Sequence, residues 1–259
     1  MARNPKRKKD RKNKNPERNK KVRKILITND DGIDAKGLIR LAEAAKEFGE
    51  VWVIAPAHQR SAASQSITLR EPVEIKAHDF PVEGVKAFAC SGTPADCVRV
   101  GSLSVMPYKP DVVLSGINYG YNVATDIQYS ATCGAAFEAA FQGYIAIALS
   151  EDANKCHDVT DAYLKELLEE YIDVKRDRHQ ILNINFPSGK IEDCKGIRRD
   201  VGTSSDSFYH DRYKMLEEKE DGTRVYMVDG IYNEDAEEGT DFRAVVEKYI
   251  SVGVVNNIR

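Results

Sequence analysis

Short, uninterrupted apolar runs, each ending in a cluster of oxygen-bearing side chains, constrain this chain more than any other feature. Ile25-Leu26-Ile27 closes an extended segment over 22–28 and is followed at once by Asn29, Asp30, Asp31 and Gly32. Val51-Trp52-Val53-Ile54-Ala55 stops at Pro56 and leads into Ala57-His58-Gln59-Arg60-Ser61. Asp111-Val112-Val113-Leu114 runs into Ser115-Gly116-Ile117-Asn118, and residues 145–149 form a fourth run of the same kind. A strand that is apolar on both sides is buried on both sides, which signals a parallel sheet covered by helices. Helical stripes separate the runs, as at 37–48 with Leu38, Leu41, Ala45 and Phe48. The expected class is α/β, with a mostly parallel sheet and helices on both faces.

Further signals fill in the order. Thr93-Pro94-Ala95-Asp96 combines a cap, a proline preset for the first turn and a capping-box acid. Residues 132–143 read as an alanine-dense helix, 158–171 as an amphipathic helix, and 181–186 as another buried strand. Residues 195–240 are polar, with Asp221-Gly222 as a turn between extended segments at 209–216 and 223–228. This gives a core over 23–190, a projecting hairpin over about 195–240 that serves as an oligomerisation arm, and a closing segment at 241–259.

Charge is unevenly spread. Of the 259 residues, the first 24 carry 13 Lys or Arg against Asp10 and Glu17, while the whole chain has a net charge of −3. A run such as Lys6-Arg7-Lys8-Lys9 has no apolar surface to bury, so residues 1–22 are expected to be a disordered basic tail. The tail reads first as a solvated extension; contact with RNA is the alternative, since phosphates need little beyond clustered cations. No apolar stretch approaches the roughly 18–20 residues of a membrane span, and no apolar segment of a secretory signal follows the basic one. Five cysteines in an odd, unpatterned set suit a reducing compartment, so the expectation is a cytoplasmic protein without membrane partners.

In an open parallel sheet, ligands bind beyond the carboxyl ends of the strands. Three strand ends here deliver oxygen donors: Asp30 and Asp31, Ser61, and Asn118. Adjacent carboxylates repel unless a cation neutralises them, and this all-oxygen set suits Mg²⁺ or Mn²⁺ better than zinc. The alternative is a plain turn with a helix cap. Beside it, Asn118, Gly120, Asn122 and Asp126 precede Tyr129-Ser130-Ala131-Thr132 at a helix start. Free N–H groups, the positive dipole end and two hydroxyls there suit a phosphate, although Ser130 and Thr132 also read as simple caps. A divalent cation beside a phosphate cradle implies phosphoryl chemistry. The sequence has no G-x-x-x-x-G-K-[ST] loop, no G-x-G-x-x-G after the first strand and no G-x-S-x-G elbow. Its five histidines are scattered.

Four motifs in order carry a family resemblance: Ile25-Leu26-Ile27-Thr28-Asn29-Asp30-Asp31-Gly32; Ala55-Pro56 with Arg60-Ser61-Ala62-Ala63-Ser64; Ser91-Gly92-Thr93-Pro94-Ala95-Asp96-Cys97-Val98; and Ser115-Gly116-Ile117-Asn118-Tyr119-Gly120 through Thr132. Together they resemble the SurE family of stationary-phase survival proteins with 5′/3′-nucleotidase activity. The resemblance implies a Rossmann-like core, a smaller C-terminal region that joins dimers or tetramers, and one divalent cation (Mg²⁺ or Mn²⁺) per subunit. It implies Asp30, Asp31, Ser61 and Asn118 as metal ligands, and Asn122, Ser130 and Thr132 as phosphate-binding. Asp30, Asp31 and Asn122 would be catalytic, and the substrates nucleoside monophosphates. Two positions depart from the pattern: Ala57 stands where the family has an acid, and Ala131 where it has glycine. A nucleotide sensor without turnover on the same fold is the rival reading.

Overall fold

The computed structural model describes residues 22–153, 156–233 and 235–258. The expected basic tail, apart from Val22, lies outside them. The expected strands and helices follow one another in order, with two strands (β3 and β4) that the sequence reading did not mark: β1 (Lys24–Thr28), α1 (Lys36–Ala45), β2 (Glu50–Pro56), β3 (Ile75–His78), β4 (Lys86–Cys90) and α2 (Pro94–Val100). Next come β5 (Val112–Tyr119), α3 (Ala131–Phe141), β6 (Ile145–Glu151), α4 (Asp158–Tyr171) and β7 (Gln180–Phe186). Among the described residues one large sheet has the order β3-β4-β2-β1-β5-β6-β7-β13-β8, with β8 (Ile197–Arg198) and β13 (Ile250–Asn256) added from beyond residue 190. Strands β4, β2, β1, β5, β6 and β7 pair in parallel, whereas β3 and β13 run antiparallel to β4 and β7.

Alternation within β1 explains why its apolar run is continuous. Ile25 and Ile27 pack with Leu38 and Leu41 of α1 and Leu164 and Leu168 of α4 on one face. Leu26 packs with Val98 of α2 and Ala135, Ala136 and Ala139 of α3 on the other. Both faces are therefore dry, and the two layers of helices are those the sequence calls for. The α2 start is the expected capping box: Asp96 N–H donates to Thr93 Oγ1 at 3.1 Å, and Thr93 N–H to Asp96 Oδ2 at 3.0 Å.

One strand differs from expectation. β5 does not stop at Leu114 but runs through Tyr119, so Ser115-Gly116-Ile117-Asn118 belong to the strand. Gly116 makes this continuation feasible: it has φ +143°, and a Cβ there would lie 2.3 Å from Leu149 O of β6. Pairing with β6 slips between Ser115 and Asn118, a bulge that re-aims the last residues. Polar and glycine residues conceal such a continuation in the sequence.

The C-terminal part carries the expected hairpin. β10 (Tyr213–Glu218) pairs antiparallel with β11 (Arg224–Val228) across Asp221-Gly222, and β9 (Tyr209–His210) pairs with β12 (Ile231–Tyr232) at its base. Tyr213, Met215, Tyr226 and Met227 stand exposed on it. Below the base, Phe208 stacks edge-on against Phe242 of α5 (Asp241–Val246), with Val123, Ala124 and Val245 in the same small cluster. Asp241 also accepts from Ala124 N–H at 3.1 Å, so this region props the loop that follows β5.

Candidate active site

The turn after β1 is locked by its own first residue. Asn29 Nδ2 donates to Gly32 O at 2.9 Å, and Gly32 N–H donates back to Asn29 Oδ1 at 3.2 Å. Between these anchors lie Asp30 and Asp31. Two backbone bonds join the turn to the loop after β2: Ile33 N–H to Pro56 O at 2.8 Å and Arg60 N–H to Asp30 O at 2.7 Å. The neighbouring strand end reaches the same place, since Tyr119 N–H donates to Asp31 Oδ2 at 3.1 Å. Gln59 Nε2 donates to Ser61 Oγ at 2.9 Å and lies 3.5 Å from Asp31 Oδ1, so one amide gathers oxygens from two strand ends. Asn118 spends its amide nitrogen on Gly120 O at 2.8 Å, which keeps its amide oxygen as the acceptor it offers a ligand.

The helix start completes the cluster. Thr132 Oγ1 donates to Asp30 Oδ1 at 2.7 Å. Asp30 is only 4% exposed, and its two neighbours pull in opposite directions. Burial pushes its carboxyl up to about 6, the Thr132 hydroxyl draws it down, and the charge of Asp31 pushes it up again. Asp31 is also raised, first by burial, against the Tyr119 N–H bond and with the charge of Glu151. Two carboxylates that resist ionisation together are the electrostatic sign of a place that suits a cation. Among the described residues no three His, Cys, Asp or Glu side chains gather as a metal cluster. A cation at this edge would draw on the mixed set of two carboxylates, a hydroxyl and an amide oxygen, which is hard-oxygen chemistry.

The phosphate-side residues are placed more variously. Ser130 is the N-cap of α3 and accepts from Cys133 N–H at 3.0 Å, as the simpler reading allows. Thr132 is turned to Asp30. Asn122 is buried: its Nδ2 donates to Ser150 Oγ at 2.7 Å, its N–H to Asn185 Oδ1, and its carbonyl accepts from Asn183 Nδ2. Asn122 thus pins the loop between β5 and α3 to β6 and β7. Ala131 is a buried first-turn residue of α3, where no positive φ calls for glycine. Gly134 does need to be glycine: a Cβ would lie 2.3 Å from Ser64 O, so α3 can press against the 61–65 loop that carries Ser61. Gln59 and the Tyr119 N–H were not singled out by the sequence. An amide donor is not a ligand type, and a backbone N–H has no sequence signature.

Fold and site together define an α/β protein with a carboxylate-centred oxygen cluster at the carboxyl edge of a parallel sheet, facing a helix N-terminus. The family model of Survival protein SurE matches residues 25–211. Proteins named 5′-nucleotidase SurE from Thermosipho melanesiensis and Clostridium botulinum are 38% and 37% identical to the chain. Each alignment covers 88% of this chain, and 89% and 90% of the respective relative. The crystal structure of the SurE protein from Aquifex aeolicus superposes with a TM-score of 0.76 at 31% identity, covering 90% of this chain and 92% of that one. The chain belongs to the SurE family.

Proposed function

We propose that this protein is a 5′-nucleotidase: a cation-dependent phosphomonoesterase that hydrolyses nucleoside monophosphates to nucleoside and phosphate. Two lines of support meet. The relatives carry that name over nearly their whole length, and the motif residues stand where three strand ends and the α3 N-terminus converge. The observation that carries the reading is the buried, hydroxyl-held Asp30 beside Asp31.

Asp30, Asp31, Ser61 and Asn118 would hold one divalent cation, Mg²⁺ or Mn²⁺ by the hardness of the donors. Such a cation supplies Lewis acidity toward a phosphoryl group. Thr132 orients Asp30, and the Tyr119 N–H orients Asp31. The positive end of the α3 dipole, capped by Ser130, would stabilise negative charge on the phosphoryl oxygens. Asn122 holds the loop that brings Asn118 and Ser130 to one place, which gives it a positioning part. Homodimers or homotetramers would form through the exposed apolar residues of the arm. The compartment is the cytosol, supported by five cysteines that are all free; among the described residues no helix is long and apolar enough to cross a membrane.

Inorganic phosphate release from nucleoside 5′- and 3′-monophosphates, against a base-free ester such as glycerol phosphate, tests the reading. Turnover of the 5′-monophosphates with Mg²⁺ or Mn²⁺ is expected. Saturable nucleotide binding with no phosphate released would overturn it in favour of a sensor.

A further inference from the structure

Behind Asp31 lies a second charged group that the chemistry above does not use. Glu151, the last residue of β6, is 4% exposed. Arg40 Nη1 of α1 donates to both of its oxygens, at 2.8 and 3.0 Å, and His157 Nδ1 lies 3.0 Å from Oε1. Arg40 is itself held by Asp161 through Nε at 2.8 Å. Buried ion pairs add little stability over apolar residues of the same volume, so stability alone does not account for a carboxylate here.

Its location does. Glu151 pairs in register with Tyr119, and Ser150 with Asn118, so the carboxylate sits one strand away from the residues that face Asp31. Its carbonyl accepts from Gly120 N–H at 2.9 Å, which anchors the turn after Asn118.

We propose that Glu151 is a positioning residue of the cation site: clamped by Arg40, it holds a fixed negative charge behind Asp31 that strengthens divalent-cation binding without touching the cation. The proposal rests on the reading of Asp30, Asp31, Ser61 and Asn118 as that site. Charge separates this role from a structural one, because Glu151→Gln keeps the shape, the carbonyl bond to Gly120 and an acceptor for Arg40.

The test is Mn²⁺ binding to the substrate-free protein, read from the free-ion electron paramagnetic resonance signal. Glu151→Gln is expected to weaken the Mn²⁺ Kd about 5- to 20-fold. Asp173→Asn removes one charge from an exposed pair with Arg23, before the start of β1, and is expected to leave the Kd unchanged. Arg40→Gln/Glu151→Gln removes one charge of each sign and is expected to weaken binding clearly less than Glu151→Gln alone; an equal loss would point to a structural rather than an electrostatic part and overturn the proposal. An unchanged Kd in folded Glu151→Gln, or an equal loss in Asp173→Asn, would overturn the proposal. No Mn²⁺ binding by the unsubstituted protein would overturn the cation site itself, and the proposal with it.

Discussion

Thr132 and Asp30 are 102 residues apart in the chain and joined by a 2.7 Å hydrogen bond from hydroxyl to carboxylate. The bond closes the first turn of α3 onto the end of β1. It also supplies a charge-assisted partner to a carboxylate that is almost wholly out of water. Thr132→Val keeps the shape and removes the donor, which is expected to cost about 1.5–3 kcal/mol at pH 7.5. The cost shrinks at pH 5, where Asp30 is protonated. Urea unfolding at the two pH values measures both.

Asp30 gives the cation-free protein a distinctive pH dependence. Its folded carboxyl titrates at about 6, above the ordinary value of 3.8. The folded state therefore holds a proton that the unfolded chain has already lost between those values. Stability from this group is full below about 3.8 and is lost as pH rises through about 6, a change of about 3 kcal/mol. Subtracting the profile of Asp30→Asn, which cannot titrate, isolates the trend. Protons compete with cation for the same oxygens, so Mn²⁺ affinity falls as pH drops below about 6.

Asp31 is half-buried and reaches out to the Tyr119 N–H rather than to a side-chain hydroxyl. Asp31→Asn retains an acceptor for that bond, and the fold is expected to survive with an unaltered far-ultraviolet dichroism spectrum. Turnover is expected to fall by at least about 100-fold, since partners one layer further out are commonly worth about 10- to 100-fold. A near-wild-type rate would remove Asp31 from the site.

Gly134 tests the packing beneath the chemistry. A methyl group there would lie 2.3 Å from Ser64 O, a backbone atom that can yield only by moving the 61–65 loop. Gly134→Ala is expected to lose about 1–3 kcal/mol of stability. It should also weaken Mn²⁺ binding, because Ser61 moves with the loop. Retained Mn²⁺ affinity in this variant would separate Ser61 from the site.

The sequence carried the fold wherever burial was continuous. Ile25-Leu26-Ile27 and Val51–Ala55 read as two-faced strands because both faces are in fact covered, and α4 was legible over its full length from one apolar stripe. Legibility failed where polar residues lie inside the sheet. The carboxyl end of β5 reads as a loop because Ser115 and Gly116 interrupt the apolar pattern, yet both are buried within the strand. In the candidate site, the placement of Asp30, Asp31, Ser61 and Asn118 at one edge is readable because the ends of parallel strands share that edge. The partners of those residues were not: Thr132 reaches Asp30 across the fold, and Gln59 and the Tyr119 N–H offer donors that no motif marks. Glu151 was hidden for another reason, since a charged residue ending an apolar run normally reads as solvent-facing.

On the proposed reading, hydrolysis of nucleoside monophosphates requires a divalent cation at Asp30, Asp31, Ser61 and Asn118. The direct measurement is phosphate release from a nucleoside 5′-monophosphate after chelation, and again after Mg²⁺ or Mn²⁺ is restored. Loss of activity on chelation and its recovery with cation, together with no recovery in Asp31→Asn, is the result predicted here. Undiminished release in chelator, or full cation-dependent recovery in Asp31→Asn, would contradict it.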